Sequence, residues 1–186
     1  MKYCLDNLRK NFQKGIKNDF LFFWGHQPSK DGKIGMSCLS QWWNVEFEVD
    51  NLKFYSAEQF MMAEKARIFN DMDILKKILL SPSPHEVKQL GRQVKNFNEE
   101  IWKKERYEIV KRGNMAKFSQ NIELKNYLLS TENKVLVEAS PYDRIWGIGL
   151  DKKNEKVHNP LLWQGQNLLG FALMEVRDAL EMEKNR

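Results

Sequence analysis

The chain has 186 residues, 42% of them hydrophobic and 30% charged, which fits one soluble globular domain with a single core. Its 6 Trp, 5 Tyr and 11 Phe need somewhere to be buried, so disorder is excluded. The net charge of +5 comes from 30 basic and 25 acidic residues scattered along the whole chain, too few and too dispersed to mark a nucleic-acid-coating surface.

Residues 2–17 read as a short polar helix with sparse apolar anchors. Leu21 to Trp24, in the run FLFFWG, read as a strand bounded by Gly25. The segment HQPSKDGKIG has the composition of a loop. Val45, Phe47 and Val49 alternate with Glu46, Glu48 and Asp50, the period of a half-buried strand. Asp50-Asn51 supplies a tight turn, and Leu52 to Tyr55 return as the partner strand. Ser56 with Gln59 three places on is a capping-box pattern, and it opens a helix through about Phe69. A second short helix spans 71–80. Pro84 suits the first turn of the next, after Ser83.

The stretch 98–112 places Ile101, Trp102, Glu105, Ile109 and Arg112 at helical spacing, with Gly113 expected to end or kink the helix. Another helix covers roughly 114–130. Residues 134–140 (KVLVEAS) read as a short buried strand, and PYDRIWGIGLDKKNEKVHNP as a loop. GQNLLGFALMEVRDALEMEK is helical, with Leu168, Leu169, Ala172, Leu173, Val176 and Leu180 on one stripe. The expected fold is mainly α: one helical domain with a few short β-strands.

The two cysteines, Cys4 and Cys38, are too few for a disulfide framework. His26, His85 and His158 share no metal-ligand spacing, so no metal site is expected. The start shows no apolar run after its charges, and no stretch approaches the ~20 apolar residues of a membrane span. A cytoplasmic protein without a membrane partner is expected.

Five places carry residues suited to chemistry. Glu58 and Lys65 are seven apart on one helix, so both project from the same face, ~10 Å apart along the axis; plain helix surface is the alternative. Asp143, Arg144 and Trp146 lie in a turn-rich segment straight after a strand, where Gly147 and Gly149 let the backbone bend; packing of Trp146 would explain the same residues. Asn167 could cap the last helix or reach a ligand. Arg92 could clamp a phosphate or lie on the surface. Trp42 and Trp43 could stack on a flat ring or fill core. No phosphate loop, nucleophile elbow or zinc helix is present.

Six ordered blocks together resemble the NADAR family, also called YbiA-like. They are LSQWW (39–43), FEVDNLKFYSAEQFMMAEKARIF (47–69), LGRQV (90–94), NMAKFSQN (114–121), LVEASPYDRIWGIG (136–149) and WQGQNLLGFALMEVR (163–177). The resemblance implies a mainly helical fold and an N-glycosidase. The substrates implied are phosphorylated, nucleotide-like compounds: phosphoribosylamino-pyrimidine intermediates of riboflavin biosynthesis. The alternatives are ADP-ribosylated guanine in nucleic acid, or an ADP-ribose- or nucleotide-binding module without catalysis. It implies Glu58, Lys65 and Asp143 as catalytic residues and Trp42, Trp43, Arg92, Arg144, Trp146 and Asn167 as substrate-binding ones. No metal or organic cofactor is called for. The chain departs from common members where EQFMMAEKA replaces the frequent EHYFQAQKA, which keeps the Glu–Lys separation but changes the groups beside it.

Overall fold

The computed structural model describes residues 1–184. They form seven α-helices and four short strands, the mainly helical fold expected. By its internal contacts the chain divides into two compact units, one made of residues 1–40 and 123–186, the other of residues 41–122.

The first unit holds α1 (Leu5–Gln13), β1 (Phe20–Phe23), β4 (Val135–Glu138) and α7 (Leu168–Lys184). β1 and β4 pair in parallel, Phe20 opposite Val135 and Phe23 opposite Glu138. Parallel strands need a crossover rather than a hairpin, so the pairing joins segments far apart in sequence. Val135, Leu136 and Val137 are all buried, the continuous apolar run of a strand covered on both faces. α7 packs on β4 so closely that a Cβ at Gly170 would collide with the Leu136 carbonyl. Arg9 of α1 donates from Nε to the Pro160 carbonyl (3.0 Å) and from Nη2 to that of Trp163 (3.2 Å). The segment expected as plain loop contains two short 3-10 turns, Glu155–His158 and Pro160–Leu162, capped by Asn154 and Asn159.

The second unit is built on α2 (Ala57–Ile68), with α3 (Met72–Leu80), α4 (Pro84–Arg92) and α5 (Glu99–Gln120) packed against it. The hairpin β2 (Phe47–Val49) and β3 (Leu52–Phe54) has the expected turn: Asp50 and Asn51 both sit at positive φ, 54° and 60°. Phe47, Phe54 and Phe60 form an aromatic cluster under it, all nearly inaccessible. After a single break at Asn121, α6 (Ile122–Ser130) takes the chain from α5 into the first unit.

Two sequence readings need correction. Gly113 neither ends nor kinks a helix; α5 runs through it without interruption. A Cβ there would sit 2.5 Å from the Phe60 ring, so the glycine serves close packing of α5 on α2. The capping box is also only half made. Ser56 Oγ accepts from the Gln59 amide (3.1 Å), but Gln59 Oε1 accepts from the Tyr55 amide (2.7 Å) rather than from that of Ser56. Gln59 Nε2 donates to the carbonyls of Ile78 (3.0 Å) and Ser81 (2.9 Å), so this side chain fastens α3 to α2.

Candidate active site

The sequence-predicted residues fall into two groups, one in each unit. Glu58, Lys65, Arg92, Trp42 and Trp43 belong to the second unit; Asp143, Arg144, Trp146 and Asn167 to the first.

In the second unit Ser56 starts α2, and Glu58 follows in its first turn, where a carboxylate suits the helix dipole. Glu58 is only 4% exposed, and its backbone N–H donates to the Gln41 carbonyl at 2.9 Å. A buried carboxyl is costly unless it is hydrogen-bonded or paired. Two turns on, Lys65 is half-buried. Its Nζ donates to the Gly91 carbonyl at 2.7 Å and lies 4.3 Å from the centre of the Phe97 ring and 5.8 Å from that of Trp102. Burial lowers its pKa below the ordinary lysine value; Glu99 opposes the shift, Arg92 adds to it, and Glu58 opposes it. The ammonium thus sits against two aromatic faces with one carbonyl as its hydrogen-bond acceptor. Such a lysine gives up its proton more readily than a solvated one.

Arg92, at the end of α4, is exposed and within electrostatic reach of Lys65. Of the two tryptophans, Trp43 is core at 7% exposure. Trp42 is partly exposed, edge-on to His85 (6.3 Å), with Lys88 Nζ 5.5 Å from its ring centre.

Sequence reasoning missed the residues that hold Lys65. Gly91 was read within LGRQV only as a neighbour of Arg92, yet its carbonyl is the lysine's acceptor and its missing side chain leaves room for Met62. Phe97 and Trp102 carry no motif that would pair them with a lysine thirty or more positions earlier. A buried amide pair was missed as well: Asn114 Nδ2 donates to Gln41 Oε1 (2.7 Å) and to the Val110 carbonyl (2.8 Å). The fully buried Lys117 went unremarked too, although both Asn114 and Lys117 lie in the NMAKFSQN block.

In the first unit the segment after β4 folds on itself. Asp143 Oδ1 accepts from the amides of Ile145 (2.8 Å) and Trp146 (2.7 Å). The Ile148 amide returns to the Glu138 carbonyl and the Gly149 amide to that of Asp143. Gly149 has φ +68°, and a Cβ at Gly147 would press on two backbone carbonyls, so both glycines are required by the turn. Arg144 is exposed, and its Nη2 donates to Gln164 Oε1 (3.2 Å). Trp146 is partly exposed. Asn167 is fully buried just before α7; its Oδ1 accepts from the Glu138 amide (3.0 Å) and its Nδ2 donates to the Leu136 carbonyl (2.9 Å). Its amide therefore ties the start of α7 to β4 instead of capping the helix. Among the described residues no group of three or more His, Cys, Asp or Glu side chains could hold a metal ion, and no helix is long and apolar enough to cross a membrane.

A buried carboxyl and a partly dehydrated lysine on one helix stripe are the parts of an acid–base or nucleophilic hydrolase. Comparison with known proteins agrees with that class. The NADAR domain model matches residues 22–181. The chain is 43% identical over 164 residues to the N-glycosidase R617 of Acanthamoeba polyphaga mimivirus, covering 86% of this chain and 95% of that protein. It is 30% identical over 137 residues to the N-glycosidase YbiA of Escherichia coli, covering 74% of this chain and 77% of that one. The NMR structure of E. coli YbiA superposes with a TM-score of 0.72 at 25% identity, covering 91% of this chain and 89% of that one. A maize protein of riboflavin biosynthesis, PYRR, is 34% identical over 131 residues, covering 68% of this chain but 19% of its own length. The chain belongs to the NADAR family. It is an enzyme of the N-glycosidase class, a hydrolase.

Proposed function

We propose that the protein hydrolyses the bond between ribose C1′ and nitrogen in phosphoribosylamino-pyrimidine intermediates of riboflavin biosynthesis, with Lys65 as the nucleophile. The observation that carries this reading is the Lys65 amine itself, lowered in pKa by burial against Phe97 and Trp102 and lying on the same helix stripe as buried Glu58. The likeness to the maize riboflavin-biosynthesis protein supports the choice of substrate.

The reacting pair is a neutral Lys65 amine and a protonated Glu58, reached from ammonium and carboxylate by one proton relayed through water. The neutral amine keeps one N–H on the Gly91 carbonyl and directs its lone pair at C1′. As the N–C1′ bond to lysine forms, the C1′–N bond to the base breaks. Its electron pair stays on the leaving nitrogen, which takes the proton from Glu58. The ribose ring then opens at C1′–O4′, with the lysine's proton passing to O4′, and leaves an iminium between Lys65 and C1′. Water adds to C1′ and expels the amine. The sum is substrate plus water giving free aminopyrimidine and ribose 5-phosphate, with no redox change and no cofactor. Asp143 is the second proposed carriage for protons. Arg92 or Arg144 is proposed to bind phosphate, whose oxygens match the guanidinium fork. Trp42 and Trp146, the partly exposed tryptophans, are proposed to hold the base or ribose by stacking. Trp43 and Asn167, both buried, contribute by placing the residues around them.

The test is borohydride added during turnover of a phosphoribosylamino-pyrimidine, followed by protein mass measurement. A reduced ribosyl phosphate adduct on the native protein, absent from Lys65→Ala, is expected. Steady release of base with no adduct would replace the imine by direct attack of water. Release of guanine from ADP-ribosylated guanine, with no action on the pyrimidine, would move the substrate to the nucleic-acid class while leaving the lysine chemistry intact.

A further inference from the structure

Within the first unit lies a cavity of about 360 Å³ that the glycosidase reading does not use. It opens between α1 and α7 beside the turn at 131–135, and Arg177 of α7 lines it. Arg177 is 4% exposed, so its charge is nearly withdrawn from water. Both of its hydrogen bonds leave from Nη1, to Thr131 Oγ1 (2.8 Å) and to the Lys134 carbonyl (2.9 Å). The two Nη1 protons are thereby used. The opposite edge of the guanidinium, Nε with Nη2, makes no hydrogen bond to the described residues, and Arg177 lines the cavity. That edge is the one that grips a carboxylate with two parallel bonds.

The remaining charges around the cavity narrow what could fill it. Asp178 is already paired within the cavity wall: Lys2 Nζ (2.5 Å) and the Tyr3 hydroxyl (2.8 Å) both donate to its Oδ2. Two exposed carboxylates, Glu132 and Glu181, are left at the rim facing one buried cation. A simple anion that reached Arg177 would meet both of them, and a simple cation would meet Arg177. A molecule carrying both signs satisfies the set. Leu8, Phe171 and Met174, all buried, supply an apolar wall between the charges. Burial pushes the guanidinium pKa below its ordinary value, with Asp178, Tyr3 and Glu181 opposing, so the site gains from an arriving carboxylate.

We infer that this cavity binds a small zwitterion of the α-amino-acid type, its carboxylate on the Nε/Nη2 edge of Arg177, its ammonium toward Glu181 and Glu132, and an apolar side chain against Leu8, Phe171 and Met174. The site is independent of the reaction proposed above. Arg177 lies ten residues along from Asn167, ~15 Å down the helix.

Cys4 also lines the cavity and is partly accessible, whereas Cys38 is fully buried. Alkylation of Cys4 by iodoacetamide therefore reports occupancy in the intact protein, with titration calorimetry alongside. The probes are L-leucine and L-methionine, compared with 4-methylpentanoate, which lacks the ammonium, 3-methylbutylamine, which lacks the carboxylate, and inorganic phosphate. The expected result is saturable protection of Cys4 by the two amino acids, with each half-charged analogue weaker by roughly tenfold or more. Asn7→Trp, an exposed change at the cavity wall, should abolish protection with the fold intact, and Glu181→Gln should weaken it. Arg177→Lys should weaken it at least as much, since lysine keeps the charge but loses the fork. Should that variant not fold, 3-methylbutylamine makes the same comparison on the native chain. Binding of phosphate or 4-methylpentanoate as tight as that of leucine would overturn the zwitterion assignment. No protection by any probe at ~10 mM, where even weak small-molecule sites fill, would show a cavity that holds water alone.

Discussion

The stripe of α2 that carries Glu58 and Lys65 and the turn that carries Asp143, Arg144 and Trp146 use polar side chains in opposite ways. On that stripe the helix satisfies its own backbone, so neither Glu58 nor Lys65 is needed to complete it. Lys65 is held by one carbonyl and two aromatic faces, and burial lowers its pKa. After β4 the backbone is irregular, and side chains must complete it. Asp143 accepts two amides, and Asn167 satisfies an amide and a carbonyl of β4. Acidic and basic side chains thus carry the proposed chemistry in one region, and an acid and an amide complete the backbone in the other. Substitutions in the first region should cost turnover and spare stability; in the second, architecture and chemistry have to be separated by choice of variant.

The largest effect is expected at Lys65. Lys65→Arg keeps a cation beside Phe97 and Trp102, but arginine stays protonated and cannot attack C1′. kcat should fall by roughly 10³-fold or more while the denaturation midpoint moves little. Near-native kcat in Lys65→Arg would reduce Lys65 to a binding charge and erase the contrast at its strongest point.

Asp143→Asn comes next. The asparagine oxygen can still accept from the Ile145 and Trp146 amides, so the turn should survive with less than about 1 kcal/mol lost. If the carboxylate also moves protons, kcat should fall by about 10²-fold at unchanged stability. Equal activity in the variant would place Asp143 wholly on the architectural side.

What the sequence made legible follows the same division. Elements whose signals are local were read within a few residues: Ser56 with Gln59 for α2, Asp50-Asn51 for the hairpin, Pro84 after Ser83 for α4. Glu58 and Lys65 could be placed on one face because helical geometry fixes it. The meaning of Gly113 could not be read, since it depends on the Phe60 ring of another helix. The lysine's lowered pKa was equally hidden, because Gly91, Phe97 and Trp102 reach it only through tertiary packing. Asn167 looked like a helix cap for its position, and only the pairing of β1 with β4 shows that its amide has a strand to satisfy. The family resemblance ranked these residues, but the residues alone left each one open.

Asn167→Ala tests the architectural side directly. Removing the amide strands the Glu138 N–H and the Leu136 carbonyl, and alanine must then hold the φ of +55° that asparagine tolerates. Together these should cost about 3 kcal/mol, read as a lower denaturant midpoint. Asn167→Gly relieves the backbone strain alone and should recover about 1 kcal/mol of that. If both variants were as stable as the native chain, the tie between α7 and β4 would carry no weight.

The smallest expected effect concerns pH, and it reads the Lys65 environment without any substrate. Burial lowers the lysine's folded pKa below the 10.5 of the unfolded chain. At pH values under the folded pKa the side chain is charged in both states, and the native state bears the whole cost of a partly dehydrated ammonium. Between the folded and unfolded values the unfolded chain binds a proton that the native state does not, so stability rises with pH. Above the unfolded value both states are neutral and the rise ends. Other lysines and tyrosines titrate in the same range, so the native chain has to be measured against Lys65→Met, which fills the space beside Phe97 and Trp102 without a charge. Denaturation midpoints of the two proteins, followed from about pH 7 upward, should converge toward or cross in favour of the native chain as the lysine loses its proton. The basic limb of kcat/KM in the native enzyme should set in at the same pH, because a lysine that has lost its proton to solvent no longer supplies the one that Glu58 hands to the leaving nitrogen. Parallel stability curves would mean that Lys65 titrates as it would in water, and the aromatic faces around it would then be packing with no bearing on its chemistry.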